Sequence, residues 1–237
     1  MRRCHRPVVQ FAAAVAAGGL LLLGPLACSD DDSAAKDADT TTTSSTSPPV
    51  TIPSGPSTVA DRVITQADVT SLPGAPADLK VKAFKEVTTM QNPDPRAPCG
   101  AEITLPPFDG STGVAITGAQ LQGSEIVVPA GAAAATEFVA SMASDTTVGC
   151  PPYTSTTSNG QKQTAVLTTV LPVDGFGDTA TASLQQLKVG DTTGYALAVV
   201  IADGDNLALV NVFSSEPIDQ RFAQALAGAT AARLGGT

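Results

Sequence analysis

The chain has 237 residues, with 22 acids against 13 Lys and Arg, one histidine, no tryptophan and a formal charge of −9. So few cations give no basic patch to neutralise phosphates, which excludes nucleic-acid binding as an expected function. The only histidine, His5, stands in the leader, so the mature part has no Ser-His-Asp or Cys-His arrangement and no histidine-ligated metal site. Carboxylate, lysine or tyrosine chemistry is what remains for catalysis.

Residues 1–27 read as a secretory signal. Arg2, Arg3 and Arg6 form a positive start, Val8 to Leu26 form an apolar core broken only by Gln10, and Ala27 is the small residue at the cleavage site. Cys28 follows directly, before Ser29-Asp30-Asp31-Asp32. A cysteine at that place resembles the bacterial lipobox, whose thiol takes a diacylglyceryl group before cleavage. The usual pattern has Leu three residues before the cysteine, where this chain has Pro25. An uncleaved signal anchor is the other reading, since nineteen mostly apolar residues just span a bilayer. Gly18-Gly19 and Gly24-Pro25 weaken such a helix. Arg2-Arg3 alone does not decide between the general and the twin-arginine export routes. Loss of the three arginines leaves ten cations against 22 acids, a mature charge of −12. Anionic lipid repels such a surface, so the acyl chains on Cys28 are the expected membrane contact.

Residues 28–58 read as a lipid-anchored tether. Ser29–Asp39 is acidic, Thr40–Ser47 is a run of hydroxyls, and Pro48, Pro49, Pro53 and Pro56 follow. This stretch buries too little apolar area to offset its ordering entropy and is expected to be disordered. Roughly 30 flexible residues give an r.m.s. span of about 30 Å, enough to hold a domain off the membrane. The threonine run is either bare linker or an acceptor of O-linked sugar. Ser33-Ala34-Ala35-Lys36 matches the S-x-x-K spacing of penicillin-binding enzymes, but that chemistry needs a rigid cleft rather than an acidic linker.

Residues 59–237 form the expected folded domain, long enough for a proper core. Val59–Val69 reads as a short helix or turn, with Val59, Val63 and Ala67 on one face. Leu79–Val87 alternates as a first strand, with Lys80, Lys82 and Lys85 toward solvent. Asn92–Pro98 is too proline-rich for either element. Val114–Thr117 and Ser124–Val128 read as two strands around a glycine bend. Pro129-Ala130-Gly131 opens a helix to about Ser144, whose stripe Ala135, Phe138, Val139 and Met142 should face the sheet as core.

Gln163–Leu171 and Thr179–Leu187 are further strands. Tyr195–Ile201 and Leu207–Phe213 flank an Asp-Gly turn and read as a hairpin of central strands buried on both faces. Ser214-Ser215-Glu216-Pro217 reads as the start of a terminal helix with proline in its first turn. Its stripe is Ile218, Phe222, Ala225, Leu226 and Ala229, and Gly235-Gly236 ends it. The sum is an α+β domain, a mainly antiparallel β-sheet with a mid-chain and a C-terminal helix packed on it.

Cys4 leaves with the signal and Cys28 is used for lipid, so Cys99 and Cys150 are expected to pair as a structural disulfide in an exported domain. A redox role would call for C-x-x-C spacing and an electropositive setting, and the sequence has neither.

The remaining candidates each have a plain structural reading. Asp174 and Asp178 around Gly175-Phe176-Gly177 are two carboxylates near enough for acid–base work, but aspartates at turns commonly bond backbone amides. Asp203, Asp205 and Asn206 have the start of a calcium loop and lack its distal bidentate Glu, so a hairpin turn is the better account. Tyr153 beside the bridge reads as a packed tyrosine, with a pocket wall as the alternative. No nucleotide fingerprint or nucleophile elbow occurs. No cofactor, metal or catalytic residue is therefore expected.

Gly149-Cys150-Pro151 follows an Ala-rich helix with Phe138, Gly177-Asp178 opens a strand, a hairpin turns at Asp203-Gly204, and Ala231-Ala232-Arg233-Leu234 closes the last helix. This order of features resembles the PknH-like extracellular sensor domain of actinobacterial lipoproteins and of a mycobacterial serine/threonine kinase. The resemblance spans about residues 60–235 and implies an α+β fold with a ligand cleft. This chain has one expected disulfide where the kinase domain has two, lacks its histidine and tryptophan, and carries no kinase motif. A second resemblance, to PsbP-like actinobacterial lipoproteins, also implies helices on an antiparallel sheet.

The expected function is a non-catalytic cell-envelope lipoprotein, on the extracytoplasmic face of the membrane, that binds or senses a small molecule, lipid or cell-wall ligand. A protein-interaction or structural cell-wall component is the alternative, and a carboxylate hydrolase the third. A pocket of several hundred Å³ would mark the first. A flat apolar patch would mark the second, and two carboxylates converging in a cleft the third.

Overall fold

The computed structural model describes residues 59–84, 95–144, 146–157 and 160–235. The signal, Cys28, the tether with Ser33 and Lys36, and Lys85 lie outside the described residues. Eight strands form one sheet in the order β1-β2-β3-β8-β7-β6-β5-β4, every pairing antiparallel. They are β1 Lys80–Ala83, β2 Thr112–Thr117, β3 Leu121–Pro129, β4 Tyr153–Thr156, β5 Lys162–Val170, β6 Thr179–Val189, β7 Thr192–Asp203 and β8 Asn206–Ser214. The helices are α1 Gln66–Thr70, α2 Ala132–Ala143 and α3 Gln220–Leu234, and a 3-10 turn covers Val59–Arg62. The fold is α+β, and among the described residues no helix is long and apolar enough to cross a membrane.

The central hairpin is the sheet's keel. β7 and β8 stand fourth and fifth across the sheet, and Leu197 to Ala202 and Leu207 to Phe213 are buried without interruption. Strands covered on both faces lose the polar alternation of a one-faced sheet, which is why these runs read as continuous apolar sequence. Asp203 pairs with Asn206, leaving Gly204-Asp205 as a two-residue loop with Gly204 at φ 53°. A side chain other than glycine's is strained in that left-handed conformation.

Each face has its own cover. On one, α1, α3 and the 3-10 turn pack on Val114, Ile116, Val127, Leu197, Val199, Ile201, Val210 and Val212. On the other, Ala135, Phe138, Val139 and Met142 of α2 pack against Ile126, Val128, Val200 and Leu209. The α2 stripe thus faces the sheet as its 3.6-residue spacing requires.

Some boundaries differ from the sequence reading. Ala67 is exposed, and Ile64 and Val69 supply the buried contacts of the first segment instead. α3 begins after Pro217, not around it: β8 runs on to Ser214, whose hydroxyl accepts the Glu216 amide at 3.0 Å, and Asp219 caps the helix by accepting the Arg221 amide at 2.7 Å. The buried positions of α3 are Phe222, Ala223, Leu226, Ala227, Thr230 and Leu234, so Ala225 and Ala229 lie at the stripe's edge. β4, a short threonine-rich edge strand after Pro152, has no apolar alternation to announce it.

Candidate functional site

The α2 face is divided by a polar band. Ser124 of β3, Asn211 of β8, Ala198 of β7 and Ser183 of β6 are directly paired neighbours in one row across four strands. On one side of that row lie Ile126, Val200 and Leu209. On the other lie Ala196, Phe213, Leu187 and Ala165, with Tyr153 against them. Gln185, beside Ala196, extends the band toward Tyr153, whose hydroxyl donates to Gln185 Oε1 at 3.2 Å.

This band is buried yet incompletely bonded. Among the described residues, Ser124 Oγ, Ser183 Oγ and Gln185 Nε2 of the band have no hydrogen-bond partner, nor does Ser155 Oγ on the edge strand β4. A buried polar atom left without a partner costs about 1–3 kcal/mol. Above the Ala198–Asn211 step, where alanine leaves room, a cavity opens. Leu105, Phe138, Met142, Val200 and Leu209 wall it, and Asn211 is the polar residue among the lining groups. Measured as the space a water's centre can occupy, it is about 10 Å³, room for one water molecule.

The cavity's walls are fastened to one another. Phe138 and Met142 come from α2, and Leu105 comes from the segment that follows Cys99. The Cys99–Cys150 disulfide, with Cα atoms 5.9 Å apart, ties that segment to the connection between α2 and β4. Gly100 lies so close over Tyr153 that a Cβ there would meet the Tyr153 Cβ at 2.7 Å. The other end of α2 is held by the β7–β8 turn. Gly131 N–H donates to the Asp205 carbonyl at 2.9 Å, and Ala132 N–H to Asp205 Oδ1 at 3.1 Å.

Two of the four candidate aspartates, Asp178 and Asp205, hold backbone amides with their side chains. Asp178 Oδ2 accepts the Gly204 amide at 2.8 Å, and its own amide bonds the Ala202 carbonyl, so it staples the β7–β8 turn. Asp205 caps α2. No group of three His, Cys, Asp or Glu suited to a metal occurs among the described residues. Tyr153 is packed beside the bridge and does not line the cavity. Lys80 and Lys82 are exposed on the edge strand β1. Among the described residues the exposed large apolar side chains are Val148 and Val170, which form no patch.

Sequence reasoning missed Glu125. It is wholly buried on the α3 face, between Val114 and Val210 of the neighbouring strands. Its Oε2 accepts the Ile64 amide at 2.6 Å, and the buried Thr230 hydroxyl lies beside the carboxyl, although neither Oε1 nor Thr230 Oγ1 completes a hydrogen bond of full geometry among the described residues. Burial pushes its carboxyl up to about 7, outweighing the Ile64 amide and the Thr230 hydroxyl that favour its charged form. One signal was available: Glu125 shares the two-residue period of Leu121 and Val127, both buried on that face.

No family model matches the chain, and none of the curated proteins does. Among solved structures it is similar to the extracellular domain of PknH from Mycobacterium tuberculosis. That match has 12% identity, a TM-score of 0.43, and covers 73% of this chain and 91% of that one. At that score the likeness carries neither a site nor a function to this chain.

Proposed function

We propose that this protein is an exported lipoprotein, anchored through Cys28 on the extracytoplasmic face, whose domain binds or senses a small uncharged ligand without transforming it. The observation that carries the binding reading is the buried band, in which Ser124, Ser183 and Gln185 have atoms without partners among the described residues and the neighbouring Asn211 lines the cavity. Polar groups of this kind select by hydrogen bonding, because a ligand that lacks the matching groups leaves them unpaired. Among the described residues no charged side chain lines the cavity, so the ligand it favours is neutral, with a hydroxyl or amide group for Asn211 and an apolar side for Phe138 and Met142. The cavity holds only a water as it stands, so entry of such a ligand requires α2 to move outward.

The export reading is supported by the leader, the cysteine after it and a disulfide in the folded part. A Cys28→Ser protein is then released to the soluble envelope fraction or the medium; retention in the membrane makes residues 8–26 a signal anchor. For the ligand, native mass spectrometry of protein from its own envelope shows a retained neutral molecule. An Ala198→Leu variant, which fills the cavity, loses it. Absence of any adduct, together with no thermal shift in a screen of sugars, polyols and amides, refutes the binding reading.

A further inference from the structure

Glu125 stands on the face away from the cavity, and it is a costly residue to keep there. Its neighbours in the adjoining strands are Val114 and Val210, and the surrounding cluster includes Val127, Leu226 and Leu234. An ionised carboxylate in such a place must replace its hydration with hydrogen bonds or a cation. One oxygen has the Ile64 amide as its donor, and the only other group beside the carboxyl that can donate, among the described residues, is the Thr230 hydroxyl, which completes no hydrogen bond of full geometry.

The charged groups nearby do not fill the gap. Arg233 of α3 is paired with Asp68 of α1, at 2.8 Å from Nε and 3.0 Å from Nη2. Arg62 of the 3-10 turn donates to the Leu234 carbonyl. Thr230 faces Glu125 from α3, and Asp68 faces it from α1 with a charge of the same sign. No cation lies within ion-pair distance of Glu125 among the described residues.

The donor to Glu125 belongs to a particular piece of chain. Val59–Thr70, the 3-10 turn and α1, leads from the expected tether into the sheet. It is held by the Ile64 and Val69 side chains in the core, the Asp68–Arg233 and Arg62–Leu234 contacts to α3, the Gln66 carboxamide bonded to the Leu79 carbonyl and the Val81 amide, and the Ile64 amide on Glu125. This segment and α3 both pack at Glu125, and of the two the segment is the one whose backbone donates to the carboxyl.

We propose that Glu125 is a proton-operated latch for the N-terminal segment. Protonated, it stays in the apolar floor, its Oε1–H donates to Thr230 Oγ1, and the segment remains closed over it. Ionised, it has the Ile64 amide and the Thr230 hydroxyl in place of a full hydration shell and no cation among the described residues, and Val59–Thr70 lifts to let water reach it. The balance of burial against its few donors sets the changeover near neutral pH. Asp68 is already ionised there, because Arg233 and Thr65 hold its carboxyl below the usual range against the cost of its own burial. The change at the site is therefore one proton on Glu125, transmitted to the point where the domain meets its tether.

Amide hydrogen exchange of the full mature chain tests this, followed at residues 59–70 between pH 5 and 8.5 and corrected for the intrinsic rate. If opening returns Glu125 to an ordinary carboxyl, protection at Ile64 falls about tenfold between pH 6 and pH 8. In Glu125→Gln, an uncharged near-isostere, protection stays level over that range. Level protection in the wild type, or an equal fall in both proteins, overturns the latch. Should the variant not fold, ¹³C titration of the Glu125 carboxyl in the wild type decides. A midpoint near 7 that coincides with loss of Ile64 protection supports the proposal, and a midpoint near 4.5 overturns it.

Discussion

Asp205, in the turn between β7 and β8, accepts the Ala132 amide at 3.1 Å and so caps a helix 73 residues earlier in the chain. α2 has no cap of its own: its N-terminal flank is Gly131, with φ 80° and no side chain to bond an amide. The carboxylate also sits at the positive end of the helix dipole. The two-residue turn between β7 and β8 thereby sets where α2 begins, and with it where Phe138 and Met142 stand over the cavity.

Removing that cap has a measurable cost. Asp205→Ala is expected to lower stability by about 1 kcal/mol, with exchange at the first turn of α2 accelerating before the rest of the helix. Asp205→Asn keeps the acceptor oxygen and loses less. Denaturant midpoints of the two variants against the wild type check this, with the slope unchanged.

The pH dependence has a definite sign. The folded value of Glu125, about 7, lies above its ordinary 4.5, so the native state binds the proton more tightly than the unfolded chain. The corresponding stability is complete below about pH 4.5, declines as pH rises, and is lost once pH passes the folded value. The full difference is about 3 kcal/mol. Asp68 acts in the opposite sense, losing stability as acid protonates it. Urea melts from pH 4 to 9 should therefore show a mildly acidic maximum, and Glu125→Gln should remove the decline on the alkaline side.

The disulfide spans 51 residues. Closing a loop of that length stabilises by about 4 kcal/mol in the chain-entropy model. Cys99→Ser with Cys150→Ser is expected to lower the denaturation midpoint accordingly, and dithiothreitol should do the same to the wild type. Ellman titration of unreduced, denatured mature protein should find neither cysteine free.

Gly123 is required by the approach of β8. A Cβ at this position would lie 2.2 Å from the Asn211 carbonyl oxygen and 2.8 Å from the Val212 Cα, both backbone atoms that cannot turn aside. Gly123→Ala should destabilise by about 2–4 kcal/mol through forced separation of β3 from β8. Gly204→Ala has open space around its Cβ and strains only the backbone conformation, so it should cost less. Thermal unfolding of the two variants gives the comparison.

Much of the architecture was legible along the chain because it is written in periods. The spacing of Ala135, Phe138, Val139 and Met142 can belong only to one face of a helix, and those four are the residues α2 buries. The two apolar runs around Asp203-Gly204 can hardly be anything but a buried hairpin. The start of α3 was less legible, because Pro217 suits a first helical turn as well as it suits the approach to one. Ser214 staying in β8 and Asp219 taking the cap decided it.

The sequence alone determined the sheet-and-helix class and the central hairpin, and it carries the expectations of an export signal and of a mature part without histidine. These follow from composition and from short-range periodicity, which need no knowledge of what the chain folds against. The tertiary structure decided what the acids do. Asp178, Asp205 and Glu125 are alike in sequence as carboxylates near strands. One staples a turn, one caps a distant helix, and one is sealed between sheet and helices with too few donors. Only long-range packing separates those roles, because desolvation and hydrogen bonding depend on residues tens of positions away.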